Sequence, residues 1–177
     1  ANEELVIEAG AVLKFAEKAS IYCEGKITAI GSEGKTTVIG TAGEPIHFTS
    51  LYEGGSWGGL LIYSQKPVRF AFCRFEGANK PLGGAVYIQD SNDVVFKNCI
   101  FRKNQATRGG AVCYINSSVK FTECNFVENG TREEGGAIYF KRLQANDFHE
   151  PKHCLFLNNT AKEGCNIDGL IAKVKTD

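Results

Sequence analysis

The chain has 177 residues, and its 20 lysines and arginines are balanced by 20 aspartates and glutamates, so the formal net charge is zero. This balance argues against a nucleic-acid partner, because a nucleic-acid-binding surface needs a surplus of basic side chains. No apolar run approaches the roughly 18 residues of a membrane span. The 20 glycines and 12 phenylalanines, against 4 prolines, favour a β-rich chain with many turns.

The first 57 residues contain short apolar segments separated by glycines or charged side chains. Their length and their alternation of apolar and polar residues predict strands. The segments span residues 5–7, 12–15, 21–23, 27–30, 38–39 and 46–48. We interpret residues 1–57 as degenerate coils of the repeat that follows.

A regular repeat begins with a glycine pair that precedes an apolar run. The pairs are Gly58 with Gly59, Gly83 with Gly84, Gly109 with Gly110, and Gly135 with Gly136. Such pairs mark corners where the backbone needs a positive φ or a close approach that a Cβ would prevent. Their regular spacing indicates an internal repeat of about 25 residues.

A second motif, V-x-F-x-x-C-x-F, occupies residues 68–75, 94–101 and 119–126, with a degenerate copy at 153–156. Period-2 alternation places its cysteine and last phenylalanine on the inner side of a strand. The predicted interior columns are Cys73, Cys99, Cys124 and Cys154, extended by Cys23, and Phe75, Phe101, Phe126 and Phe156. Buried cysteine packs as a small hydrophobe, so we expect thiols here rather than disulfides.

A third motif, F-x-x-N, ends in Asn104, Asn129 and Asn159. Asparagine at a buried corner can bond both its own backbone and the next coil, which predicts an inward asparagine ladder. The alternative interpretation is N-glycosylation at Asn116, Asn129 or Asn158, each of which lies in an N-x-S/T sequence.

Three short strands in each 25-residue unit predict an all-β, single-stranded parallel β-helix. The unit is too short for a propeller blade and has no helical segment for a leucine-rich repeat. We expect one solenoid domain over 1–177, with about seven coils if each coil takes about 25 residues. It divides into degenerate coils at 1–57, regular repeats at 58–140, an insertion at 141–152 and a last coil at 153–177. The start at Ala1 suggests a mature secreted protein or a segment of a longer chain.

A polysaccharide lyase of this architecture needs an acidic cluster and a neighbouring base among its outward side chains. Asp90 and Asp93 share one corner, but no acidic column continues from them. Arg69 and Lys120 share an outward column that Val95 interrupts. We therefore predict no catalytic residue, no metal ligand and no cofactor. Trp57, Tyr87 and Tyr139 are the predicted ligand face, because outward aromatic rings can stack on sugars.

The motif GGA[VI] at 83–86, 109–112 and 135–138, together with F-x-x-N at 101–104, 126–129 and 156–159, resembles a known family. These are the paired repeats of the polymorphic outer-membrane proteins, whose passenger regions are bacterial surface β-helices. The resemblance implies a right-handed parallel β-helix of the pectin-lyase-like superfold. It also implies an extracellular or cell-surface location and an adhesin-like role.

Two functions follow as hypotheses. The first is a non-catalytic surface or secreted module, adhesin-like or structural, that presents its outer face to a protein or glycan partner. The second is a polysaccharide-binding or lyase-type carbohydrate-active β-helix. The same architecture also offers exposed strand edges, so end-to-end or edge-to-edge self-association is a further expectation.

Overall fold

Short strands are the regular elements of this chain. The computed structural model describes residues 7–23, 36–39, 43–142 and 149–171. The strands are β1 (Val12–Phe15), β2 (Ile21–Cys23), β3 (Thr36–Ile39), β4 (Ile46–Ser50), β5 (Leu60–Ile62), β6 (Val68–Ala71), β7 (Cys73–Glu76), β8 (Val86–Gln89), β9 (Val94–Lys97), β10 (Ile100–Arg102), β11 (Gln105–Ala106), β12 (Val112–Ile115), β13 (Val119–Thr122), β14 (Asn125–Val127), β15 (Gly130–Thr131), β16 (Ile138–Arg142), β17 (Leu155–Leu157) and β18 (Ile167–Ile171). Among the described residues, no helix is long and apolar enough to cross a membrane.

The strands stack into three parallel sheets that run along the solenoid. Sheet A has the order β1-β4-β7-β10-β14-β17, sheet B the order β2-β5-β8-β12-β16-β18, and sheet C the order β3-β6-β9-β13. Strands β11 and β15 pair with each other at the corner between sheets A and B. A regular coil therefore runs from sheet C to sheet A, turns this corner and continues into sheet B.

The all-β parallel β-solenoid is confirmed, with about 4 regular turns of about 26 residues each. The predicted number of coils was too high. Sheets A and B hold six strands each within the described ranges, which is still fewer than the seven coils expected. The strands predicted at 5–7 and 27–30 lie wholly or mostly outside the described residues, as do residues 143–148 of the predicted 141–152 insertion.

The corner between sheets C and A is built around a residue in the left-handed region. Phe72, Asn98, Glu123 and His153 have φ values of 52, 52, 55 and 53°. Each precedes one cysteine of the V-x-F-x-x-C-x-F motif, and the thiol then bonds the carbonyl two residues back, as Cys99 Sγ does with Lys97 O at 3.4 Å. The motif thus encodes a sharp bend between two strands.

The cysteine column lies inside the solenoid at its middle coils. Cys73, Cys99 and Cys124 have at most 1% of their surface exposed, whereas Cys154 in the last described coil is half-buried. Cys23 belongs elsewhere, and its inclusion in this column was wrong. It pairs with Ile62 in sheet B, while Ile46 is the residue that pairs with Cys73 in the preceding coil.

Thiol labelling of the folded chain should separate two classes of cysteine. Cys99 and Cys124 are buried, and burial raises the pKa of the Cys99 thiol well above its usual value. The thiolate is the reactive form, so both residues should resist a maleimide reagent until denaturant is added. Exposed Cys165 should react at once and serves as the internal control. Rapid labelling of Cys99 without denaturant would show that the column does not face inward.

Phenylalanines fill the centre of the core in two stacked columns. In sheet A, the ring centroids of Phe101 lie 5.0 Å from Phe75 and 4.8 Å from Phe126, with nearly parallel planes. In sheet C, Phe96 stacks on Phe70 and Phe121 at 5.0 and 5.3 Å. Because the two columns meet edge to face, each ring is packed both along and across the solenoid.

The three motif asparagines form a buried ladder after sheet A. Asn129 Nδ2 donates to Asn159 Oδ1 and to Phe101 O, both at 3.0 Å. Its Oδ1 accepts bonds from Asn104 N at 3.1 Å and Asn104 Nδ2 at 3.0 Å. One amide thus satisfies polar groups of two neighbouring coils.

A serine ladder at the corner after sheet B was not predicted. Ser64 N donates to Ser91 Oγ at 2.9 Å, and Ser91 N donates to Ser117 Oγ at 3.0 Å. All three serines are buried. The spacing between them, which matches the repeat, is the signal that could have revealed this column.

Candidate functional site

Trp57 lies inside the solenoid and is not part of a ligand face, which corrects the prediction. Its exposed fraction is 0%, and its ring stacks on Phe15 at 4.8 Å. Trp57 pairs with Ala78, which places it in the column of the asparagine ladder. Its Nε1–H donates to Glu76 O at 2.9 Å. The ladder asparagines of later coils likewise donate from their side chains to backbone carbonyls.

Tyr87 and Tyr139 do point away from the main core, but they are covered, so they cannot present open rings to a ligand. Together with Cys113 they form a second buried cluster on the outer side of sheet B, packed by Leu82 and other side chains. Arg108 lies over Tyr139 with its Cζ 5.7 Å from the ring centroid. The glycine-pair corners that carry Leu82 and Arg108 fold across this face. Burial raises the pKa of Tyr87 to about 12.

The exposed aromatic side chains lie instead beside a groove at the corner between sheets A and B. Tyr22 is 63% exposed and Tyr52 is 66% exposed. Two neighbouring hollows of about 740 and 840 Å³ share Ser56, Asn79 and Gln105, with Tyr22 lining the first and Tyr52 the second. We call this surface, lined by Tyr22, Tyr52, Ser56, Asn79, Lys80 and Gln105, the corner groove.

Two exposed amide side chains on neighbouring coils line both hollows. Asn79 and Gln105 pair across adjacent coils, and both side chains are exposed. Within the described ranges, neither side-chain amide has a hydrogen-bond partner. Because each amide carries both donors and acceptors, the pair can exchange hydrogen bonds with the hydroxyl groups of a ligand.

Charged side chains of both signs surround these amides. Glu17, Lys18 and Arg132 line the first hollow, and the second is lined by Lys14, Lys103, Glu53 and Glu76. The loop 51–56, which follows β4, forms one wall of the second hollow. The groove therefore combines exposed aromatic rings, unpaired amides and charged groups, each of which can contact a polar ligand.

Lys80 forms part of the wall of the first hollow. Its Nζ donates to Leu60 O at 2.6 Å. Desolvation lowers the pKa of Lys80 to about 7, and the nearby Cys113 thiol opposes this shift. Burial raises the pKa of Cys113 to about 12, so this thiol stays protonated at neutral pH.

The side chains considered for lyase chemistry take part in other contacts. Arg69 pairs with Asp93 through Nη2 and also donates from Nη1 to Asp93 O at 2.8 Å. Asp90 accepts a hydrogen bond from Asn116 at 2.6 Å, and that bond lowers the pKa of its carboxyl. Among the described residues, no group of three or more His, Cys, Asp or Glu side chains could hold a metal ion.

Sequence reasoning did not select Tyr22, Tyr52, Asn79, Lys80 or Gln105. Tyr22 was identifiable as the outward residue of a three-residue strand, between Ile21 and Cys23. Tyr52 lies in a loop without periodicity, and the hollows appear only when consecutive coils are stacked. No short motif in the sequence marks the groove.

Comparison with known proteins identifies the family. A family model for the right-handed β-helix region matches residues 34–161, more than two thirds of the chain. No curated protein and no solved structure gives a significant match. Domains of this kind occur both in enzymes and in proteins without catalytic activity. With its parallel three-sheet solenoid and this match over most of its length, the chain belongs to the right-handed β-helix family.

Proposed function

We propose that this chain is a non-catalytic binding module that holds an extended glycan in the corner groove. The observation that carries the proposal is the placement of two exposed tyrosines in adjoining hollows of about 740 and 840 Å³ that share two exposed amide side chains, Asn79 and Gln105. Aromatic faces suit the apolar face of a sugar ring, while amides suit its hydroxyl groups. A run of two hollows suits a ligand of several sugar units.

The hydrogen bonding between coils beneath Asn79 and Gln105 favours binding. Asn79 and Gln105 follow directly from Ala78 and Asn104, which are joined by the buried bond from Ala78 N to Asn104 Oδ1 at 3.0 Å. The groove floor therefore needs little ordering when a ligand binds, and the free energy lost to ordering is small.

Display at a cell surface or secretion is part of the proposal. It is supported by the GGA[VI] and F-x-x-N repeats, which resemble those of bacterial outer-membrane passengers. In this setting the buried thiols of the core are shielded from oxidants.

Glycan-array binding tests this function. We expect the chain to retain a defined class of oligosaccharide, and Tyr22→Ala or Tyr52→Ala to weaken binding by about tenfold each, or about 1.4 kcal/mol. Leu155→Ala removes an exposed apolar side chain outside the groove and is the matched control. The proposal would be contradicted if the chain retained no glycan, or if both tyrosine variants bound the glycan as tightly as the wild type. Cleavage of the bound glycan would identify the carbohydrate-active alternative instead.

A further inference from the structure

Lys80 is held differently from the other basic side chains of the corner groove. It is half-buried, and its Nζ donates to the neutral backbone oxygen of Leu60 at 2.6 Å. Within the described parts of the chain, no carboxylate forms an ion pair with it. An ammonium group in this environment loses hydration without gaining a compensating negative charge.

The path of the Lys80 side chain depends on a glycine. A Cβ at Gly59 would lie 2.8 Å from Lys80 Nζ, so the absence of a side chain there lets the amine rest on the backbone of the neighbouring coil. Lys80 lines the first hollow and keeps part of its surface exposed, so small molecules that enter the hollow meet this side chain. The side chain therefore combines a desolvated amine with contact to the hollow.

The ionisable groups around Lys80 come from several elements. Cys113 on β12 is the buried neighbour that interacts with it. Glu17 and Lys18, between β1 and β2, and Arg132, after β15, line the same hollow. Because the pKa of Lys80 is near 7, much of its amine is neutral at physiological pH and carries a free lone pair.

We propose that Lys80 is a covalent modification site for aldehydes that enter the corner groove. Nζ attacks the carbonyl carbon to form a carbinolamine, with a new C–N bond. Loss of water then gives an imine, since the two hydrogens of the neutral amine leave with the carbonyl oxygen. Leu60 O accepts one N–H of the amine during the approach. Aldehyde addition at Lys80 needs no bound glycan, so it can be tested without one.

Reductive trapping with glycolaldehyde and cyanoborohydride tests the proposal on the folded wild-type chain. Peptide mass spectrometry would compare modification of Lys80 with modification of Lys18, an exposed lysine of the same hollow. We expect Lys80 to react about tenfold faster or more near neutral pH, since a lower pKa leaves more neutral amine. The rate at Lys80 should reach half its maximum near pH 7.

Two controls make the result specific. Unfolding in urea should remove the advantage of Lys80, because the advantage comes from its folded environment. Lys80→Arg replaces the amine with a guanidinium and should remove the label while leaving the circular dichroism spectrum unchanged. Equal reaction of Lys80 and Lys18 in the folded chain, or an advantage that persists in urea, would overturn the proposal.

Discussion

Gly110→Ala is expected to prevent folding or to lower the free energy of unfolding by more than about 4 kcal/mol. A Cβ at Gly110 would lie 2.7 Å from Gly130 N and 2.8 Å from Gly130 O, and closer still to Gly136 O. These atoms belong to the backbone of the next coil, whose spacing is set by parallel strand pairing at about 4.8 Å. The coil cannot move aside as a flexible side chain could, so stacking at this corner would be lost.

Urea denaturation followed by circular dichroism measures this effect. Gly43→Ala is the matched control, because a Cβ there meets nothing within 4 Å. We expect it to change the free energy of unfolding by no more than about 0.5 kcal/mol. If Gly110→Ala unfolded at the same urea concentration as the wild type, the coils could not be in close contact at the glycine pair.

Asn129→Ala is expected to lower the free energy of unfolding by about 3 kcal/mol, because buried partners would lose their hydrogen bonds. Asn104 N and Nδ2 would lose their acceptor, and Phe101 O and Asn159 Oδ1 would lose a donor. The site is fully buried, so water cannot readily replace the amide. Denaturation curves of purified wild type and variant would give the difference.

Asn125→Ala serves as the control for the ladder. Asn125 lies on β14, points outward and is half-buried, with no side-chain hydrogen bond in the described structure. Its substitution should change the free energy of unfolding by less than about 0.5 kcal/mol. Equal effects of Asn129→Ala and Asn125→Ala would show that the ladder amide does not bridge the coils as described.

Much of the fold could be predicted because the coils of a solenoid repeat the same local physics. Alternation in V-x-F-x-x-C-x-F predicted which side chains face the core, and the pairing of Phe75, Phe101 and Phe126 in adjacent strands follows from the equal spacing. Family matching and strand pairing both support the parallel β-helix. Where the spacing is irregular, as in the first coils, the sequence alone was less informative.

Trp57 shows that the distance between the ladder residue and the glycine pair differs from coil to coil. In later coils the ladder residue lies well before the glycine pair, as Asn104 does before Gly109, whereas Trp57 directly precedes Gly58. The corner is shorter here, so Trp57 occupies the ladder column although it directly precedes the glycine pair.

The candidate site depended on contacts between coils, which alternation does not encode. Period-2 alternation gave the direction of Tyr87 and Tyr139 but not the glycine-pair corners that cover them. Asn79 and Gln105 become neighbours only through pairing of consecutive coils. A surface site on a solenoid is therefore harder to predict than its core.

Hydroxyl-radical footprinting with the glycan selected on the array is the most direct test of the corner groove as the binding site. Bound glycan should lower the oxidation of Tyr22 and Tyr52, which are exposed in the unliganded chain, and leave exposed Leu155 and Leu157 unchanged. Protection of Leu155 and Leu157 without any change at the two tyrosines would contradict this assignment and place the ligand on sheet A instead.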